Sequence, residues 1–161
     1  MPPAHLAALL STLHLLALAI GLPSIFLRAR ALAGLKSPDD EKQLARVFAA
    51  DNVWGLAAIL WFATGFARLL GPVEKGTAFY THSGAFWLKM ALFAALFTLE
   101  LYPMITLIRW RLRQRKKRPL DLSSIGLLTW FSRIEVVLTT SMPFAASAMA
   151  RGIGFGWSPF D

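Results

Sequence analysis

The sequence of 161 residues contains no cysteine. This absence excludes disulfide bonds, zinc and iron–sulfur sites built on thiolates, and haem attached covalently through thioethers. Glycine-rich loops that hold nucleotide phosphates and the nucleophile motif of serine hydrolases are also missing. The three histidines, His5, His14 and His82, are too far apart for two of them to chelate a metal from one helix. These absences leave few of the common enzyme classes open.

Charged residues are scarce in four long stretches, 1–27, 52–67, 90–108 and 122–150, where only Glu100, Arg133 and Glu135 occur. A helix needs about 20 apolar residues to cross the hydrocarbon core, and a backbone inside lipid must satisfy its own hydrogen bonds. The pattern therefore predicts an all-α, polytopic membrane protein folded as an antiparallel four-helix transmembrane bundle. The whole chain forms one domain, with spans expected at about 4–27, 52–70, 85–110 and 124–150.

The connector between the first two spans carries the pattern of a helix start. Ser37 can cap a helix, Pro38 suits its first position, and the acidic residues 39–41 suit its first turn. The apolar residues that follow share one face. We expect a short amphipathic helix at the membrane surface, separated from the second span by Asp51 and Asn52.

The 17 basic residues outnumber the 9 acidic ones and are unevenly placed. Five lie in the first connector and seven in 109–118, on one side of the predicted bundle, whereas the other side carries Arg68, Lys75 and Arg151. The positive-inside rule then predicts a bacterial inner-membrane protein with its basic connectors in the cytoplasm and both chain ends outside. We expect these connectors to contact anionic lipid headgroups rather than nucleic acid. A membrane-protein partner and a homo-oligomer both stay open.

Ionisable residues inside the spans are costly to bury and are the first candidates for function. Glu100 and Arg133 are expected at similar depth on neighbouring spans, so we predict a buried ion pair between them. Glu135 completes this predicted charge network and is expected at the depth of His14. His14 is then a hydrogen-bonded interior histidine, a member of a His–Glu proton relay, or an axial ligand of haem b.

Lys89 lies one turn into the third span. Its side chain either extends to the membrane surface or faces the interior opposite His14, as a second haem ligand or as the partner of a substrate carboxylate. Arg68 and Lys75 lie on the same side of the membrane as Lys89. They are candidate partners for haem propionates or for another anion.

Several short motifs resemble one bacterial family of predicted inner-membrane proteins, domain of unknown function 2214. They are Leu13-His14, Thr64-Gly65-Phe66-Ala67-Arg68, Lys75-Gly76, Phe79-Tyr80, Phe86-Trp87-Leu88-Lys89, Leu101-Tyr102-Pro103 and Arg109-Trp110. The resemblance covers the chain from the first span through the third. The family name implies no activity.

A more distant similarity is to HemJ-type protoporphyrinogen oxidases and CopD-type copper-resistance proteins. The shared features are a histidine in the first helix, a Thr-Gly pair late in the second, and Trp-Leu with a nearby lysine opening the third. This resemblance implies haem at His14, with Lys89 as the lysine counterpart. The segment Trp87-Leu88-Lys89 lacks the histidine and valine of the usual Trp-Leu-His-Val-Lys.

Three functions follow from these observations. The first is a small haem-b protein for redox or electron transfer, with His14, Lys89, Arg68 and Lys75 around the cofactor. The second is a cofactor-free accessory or assembly subunit of a membrane complex. The third is a small proton-coupled carrier that uses His14, Glu135 and the Glu100–Arg133 pair. The sequence leaves open whether the protein is an enzyme.

Overall fold

The computed structural model describes residues 4–70, 80–154 and 156. Nearly all of them belong to four helices, α1 (Ala4–Gly34), α2 (Glu41–Leu70), α3 (Gly84–Arg115) and α4 (Ile125–Ala150). Of these helices, α1, α2 and α3 are long and apolar enough to cross a membrane. Helix α4 has 26 residues and contains Arg133, Glu135 and several hydroxyl side chains within its apolar stretch. The protein is an all-α membrane bundle, as the uncharged stretches predict.

The helices alternate in direction. Helix α1 packs against α2 and α4, and α4 also packs against α3. His14, early in α1, contacts Thr64, late in α2, so these two helices are antiparallel. The amide of Gly84, which begins α3, donates to the carbonyl of Gly154 just beyond α4, at 2.9 Å. Connectors 35–40 and 116–124 thus lie together at one end of the bundle, called here the basic end.

The predicted surface helix and the second span are one continuous helix. Helix α2 begins at Glu41 and passes through Asp51 and Asn52 without a break. The prediction of a separate amphipathic helix was wrong, because the side chains of Asp51 and Asn52 do not cap a helix end. They accept hydrogen bonds from arginines of other helices instead: Arg28 and Arg111.

Helix α1 extends past the predicted boundary at Leu27 to Gly34, so Arg28 lies inside a helix rather than in a connector. The buried side of this helix includes Ala17, Gly21, Ser24 and Arg28. Their spacing of three or four residues places them on one helix face. That face points into the bundle and carries Arg28 with it.

Two apolar clusters hold the helices together. The cluster near the basic end includes Leu32, Val47, Leu107 and Leu128, one from each helix. The second cluster is formed by Ala17, Ile25, Trp54, Trp61, Leu96 and Met142. Many large apolar side chains face outward instead, as expected for helices surrounded by lipid.

Candidate functional site

Five charged side chains from all four helices meet inside the bundle, toward its basic end. This group, called here the Arg28 cluster, comprises Arg28, Asp51, Glu100, Arg111 and Glu135. Arg28 is fully buried at its centre. Its Nη1 donates to Asp51 Oδ1 at 2.8 Å and to Glu100 Oε1 at 2.9 Å. Its Nη2 donates to Glu100 Oε2 at 2.7 Å and to Glu135 Oε2.

The remaining N–H group of Arg28, on Nε, donates to Ser132 Oγ at 3.2 Å. A guanidinium has five N–H groups, so every donor of Arg28 is matched by an acceptor. A buried arginine needs such complete pairing, because an unpaired charge away from water is costly. The single side chain of Arg28 therefore bonds residues of α2, α3 and α4.

Arg111 forms the outer part of the Arg28 cluster. Its Nη2 donates to Asp51 Oδ2 at 2.7 Å and to Asn52 Oδ1 at 2.9 Å. Its guanidinium also lies over the ring of Phe48, 4.8 Å from the ring centre, where a cation is attracted by the π-electrons. Side-chain exposure rises from 0% for Glu135 to 27% for Arg111. The cluster therefore opens to its surroundings on the side of Arg111.

Arg133 is not in this cluster, and the predicted Glu100–Arg133 pair was wrong. Arg133 is exposed and borders a surface groove beside Phe26 and Arg30. Glu135, only two positions further along α4, is fully buried, because residues two apart on a helix face different directions. The cation that Glu100 binds is Arg28, which the charge pattern had assigned to a connector.

A second group of polar side chains lines a cavity of about 410 Å³ at the end of the bundle opposite the basic end. His14 of α1, Arg68 of α2 and Lys89 of α3 contribute to this cavity, called here the His14 pocket, together with Tyr80. Its apolar walls include Leu18, Trp61, Met142 and Pro143. The structure thus brings together three of the four residues suggested for cofactor binding. The fourth, Lys75, lies outside the described residues.

The ring of His14 is positioned by α2. Its Nδ1 lies 2.9 Å from Thr64 Oγ1. The hydroxyl of Thr64 donates its only proton to backbone carbonyls, with the Leu60 oxygen at 2.7 Å, so it accepts a hydrogen bond from His14. This arrangement is that of a neutral imidazole protonated on Nδ1, in which Nε2 is the basic nitrogen of the ring.

Two further residues of α2, Gly65 and Trp61, lie against the His14 ring. A Cβ atom added to Gly65 would lie 3.3 Å from His14 Cε1, closer than nearly all such contacts. The absence of a side chain at Gly65 therefore lets the ring lie against the α2 backbone. The Trp61 ring lies on another side, with its centre 5.7 Å from that of His14.

His14 and Glu135 are not partners, which argues against the His–Glu proton relay, one of the three interpretations of His14. His14 pairs with Thr64, whereas Glu135 pairs with Arg28. At the end of the bundle that holds the pocket, α1 begins at Ala4 and α4 ends at Ala150, so Glu135 lies five residues deeper (150 − 135 = 15 against 14 − 4 = 10). At 1.5 Å per residue this is a separation of roughly 7–8 Å along the bundle, so the two side chains lie at different depths.

Neither group resembles a metal centre of carboxylates and histidines. Within residues 4–70, 80–154 and 156, no set of three or more His, Cys, Asp or Glu side chains is arranged to hold a metal ion. Each carboxylate of the Arg28 cluster is already bonded to arginine. Any metal at the His14 pocket would therefore rely on one histidine and on its own organic ligand.

Comparison with models of protein families identifies a match. A family model described as a predicted membrane protein, DUF2214, matches residues 6–154. No curated protein and no solved structure matches the chain. The matched range includes all four helices and both polar groups, apart from the first residues of α1. The chain therefore belongs to the DUF2214 family of predicted membrane proteins.

Proposed function

We propose that this membrane protein binds an amphipathic anion in the His14 pocket and that the ligand is haem b. The protein would then serve in redox chemistry or electron transfer within the membrane. The observation that carries the proposal is the convergence of His14, Arg68 and Lys89, from three helices, on one partly apolar cavity. Its volume of about 410 Å³ lies in the range usual for small-molecule pockets.

The side chains of the pocket fit haem b in three respects. The Nδ1–H of His14 is held by Thr64, as the second nitrogen of a metal-bound histidine usually is. Arg68 and Lys89 supply cationic groups suited to propionates, and Lys89 is also a candidate second ligand. The apolar walls suit a macrocycle. When bound, haem would supply a one-electron redox couple, while the protein fixes its position and limits contact with water.

The more distant resemblance to HemJ-type and CopD-type proteins points to the same histidine. Membership of DUF2214 adds no activity, so the proposal depends on the pocket and not on the family name. The Nδ1–H bond to Thr64 fixes the orientation of the His14 ring relative to the pocket.

We also propose that the basic end faces the bacterial cytoplasm. Both connectors at this end carry dense positive charge, and basic loops are retained on the cytoplasmic side of the inner membrane. The His14 pocket would then open toward the outer face. The basic connectors would contact anionic lipid headgroups, and the exposed apolar side chains would face lipid tails or a membrane partner.

Visible spectra of the purified protein test the haem proposal. The full chain, expressed with ample haem, is purified in detergent and measured as isolated and after reduction with dithionite. We expect a Soret band and reduced α and β bands, both lost in His14→Ala and kept in His82→Ala, which changes an exposed histidine at the same end. Circular dichroism checks that both variants stay helical.

A colourless wild-type protein that also takes up no added haem would overturn the proposal. An equal loss of colour in His82→Ala would overturn the assignment of His14 as the ligand. A colourless protein would favour the two other functions, and a pH-dependent flux in liposomes would then separate a proton-coupled carrier from an accessory subunit.

A further inference from the structure

We infer that the Arg28 cluster is a proton-binding site and that Glu135 carries one proton at neutral pH. This inference concerns a different part of the bundle from the His14 pocket and holds whether or not haem is bound. It follows from two independent observations: the number of charges in the cluster and the hydrogen bonds of each carboxylate oxygen.

The charges of the cluster do not balance if every acid is ionised. Arg28 of α1 binds Glu135 of α4, Asp51 of α2 and Glu100 of α3, and Arg111 of α3 binds Asp51. Arginine keeps its proton in proteins, so three carboxylates would meet two positive charges. Arg133, on the same helix as Glu135, is exposed and points elsewhere. An excess negative charge in a buried, poorly polarisable interior is costly, and one proton removes it.

The hydrogen bonds indicate which carboxylate holds this proton. Both oxygens of Glu100 accept from Arg28, and the two oxygens of Asp51 accept from Arg28 and Arg111. Glu135 Oε2 also accepts from Arg28. Of the six carboxylate oxygens, only Glu135 Oε1 is buried without a hydrogen-bond partner among the described residues. An unpaired ionised oxygen costs more than an unpaired neutral one, so the proton belongs on Glu135.

Glu135 lies between the two ends of the bundle. On the same buried face of α4, Thr139 follows by one turn, and its hydroxyl also has no hydrogen-bond partner among the described residues. Met142 comes next on this face and lines the His14 pocket, about 10 Å from Glu135 along the helix axis. On the other side, the cluster reaches the basic end through Arg111. The proton site thus lies between the pocket and the basic end.

Infrared spectroscopy of the full-length protein tests the inference. A protonated carboxyl group gives a C=O stretching band that ionised carboxylates lack. At neutral pH we expect one such band, shifted when the protein is labelled with ¹³C-glutamate and absent in Glu135→Gln. The band should persist in Glu41→Gln, which changes an exposed acid at the start of α2.

Glutamine has the shape of a protonated glutamate, so Glu135→Gln should fold with a melting temperature close to that of the wild type. The ¹³C-glutamate label needs no variant, so the inference stays testable if Glu135→Gln does not fold. A wild-type protein without a carboxyl band at neutral pH would overturn it. A band whose frequency does not shift with the glutamate label would place the proton on another residue type. A band that persists in folded Glu135→Gln would place it on another residue. Either result would overturn the inference.

Discussion

Arg28 and Glu100 are joined by two parallel hydrogen bonds, from Nη1 to Oε1 at 2.9 Å and from Nη2 to Oε2 at 2.7 Å. This paired geometry is the strongest that an arginine and a carboxylate form, and it fixes the relative orientation of the two groups. It connects α1 with α3, while the same guanidinium also binds Asp51 of α2 and Glu135 of α4. One side chain thus sets the relative positions of all four helices near the basic end.

Replacing Arg28 with methionine should strongly destabilise the bundle. The change leaves buried acceptors of three helices without their donor, and breaking a buried ion pair typically costs about 3–5 kcal/mol. The free energy of unfolding in detergent, measured by chemical denaturation, checks this. Arg30→Met is the matched control, since Arg30 is exposed only two residues away. Equal stability of the two variants would contradict a central role for Arg28.

Gly21 should be intolerant of a side chain, whereas Gly55 should accept one. A Cβ atom on Gly21 would lie 3.0 Å from the Trp54 ring, while one on Gly55 would meet nothing within 4 Å. Overpacking of this kind costs about 1–3 kcal/mol. Gly55→Ala should be neutral or stabilise the helix by up to about 1 kcal/mol. Thermal melts of both variants compare them, and a stable Gly21→Ala would show that α1 and α2 can separate at little cost.

Thr64→Val should weaken haem binding, if haem is the ligand of the His14 pocket. Valine keeps the shape of threonine but removes the acceptor for His14 Nδ1–H, and losing such a partner usually lowers affinity about 10–100-fold. Thr98→Val is the control, because the exposed hydroxyl of Thr98 bonds only the Ala94 carbonyl of its own helix, at 2.8 Å. Haem titrations followed at the Soret band give the haem affinities of the two variants. Equal affinities would show that Thr64 does not contribute to haem binding.

The orientation of the bundle can be measured with single cysteines, because the natural chain has none. Lys36→Cys and Lys116→Cys mark the two basic connectors, and Arg151→Cys marks the opposite end; all three positions are exposed. With basic connectors in the cytoplasm, an impermeant maleimide added to intact spheroplasts should label only Arg151→Cys. Labelling of the two connector cysteines instead would reverse the proposed topology.

The sequence predicts the four helices and their ends on the side of the His14 pocket well, but at the basic end it makes three of the helices too short. Long uncharged stretches leave few alternatives to membrane helices, so the class of fold follows from composition. The boundaries were drawn where charges begin, and this rule misplaced Arg28 because its charge is neutralised by partners distant in sequence. The spacing from Ala17 through Gly21 and Ser24 to Arg28 carries the correct signal. It shows that the buried face continues past the last uncharged residue.

A second limit of prediction from sequence concerns which of two neighbouring charged residues on α4, Arg133 or Glu135, faces the interior of the bundle. Depth along a helix can be estimated from sequence, but the direction of a side chain depends on which face packs inward. On α4 the buried face is marked by Leu128, Ser132, Glu135 and Thr139, with small or apolar neighbours at helical spacing. The pairing of His14 with Thr64 was also missed, since a threonine in an apolar helix gives no sign of which residue it will meet.

The bond between Arg28 and Glu135 has a consequence for how the chain enters the membrane during synthesis. Helix α4 is the last of the four to leave the ribosome, and it carries Arg133 and Glu135 within its apolar stretch. A carboxyl group near the centre of an isolated helix raises the cost of insertion even when it is protonated, because lipid offers it no hydrogen-bond partner. The residue that satisfies Glu135 lies on α1, which is made first. Stable insertion of α4 therefore depends on α1 being already in place, and a chain that stops after α3 leaves Arg28 without one of its carboxylate partners.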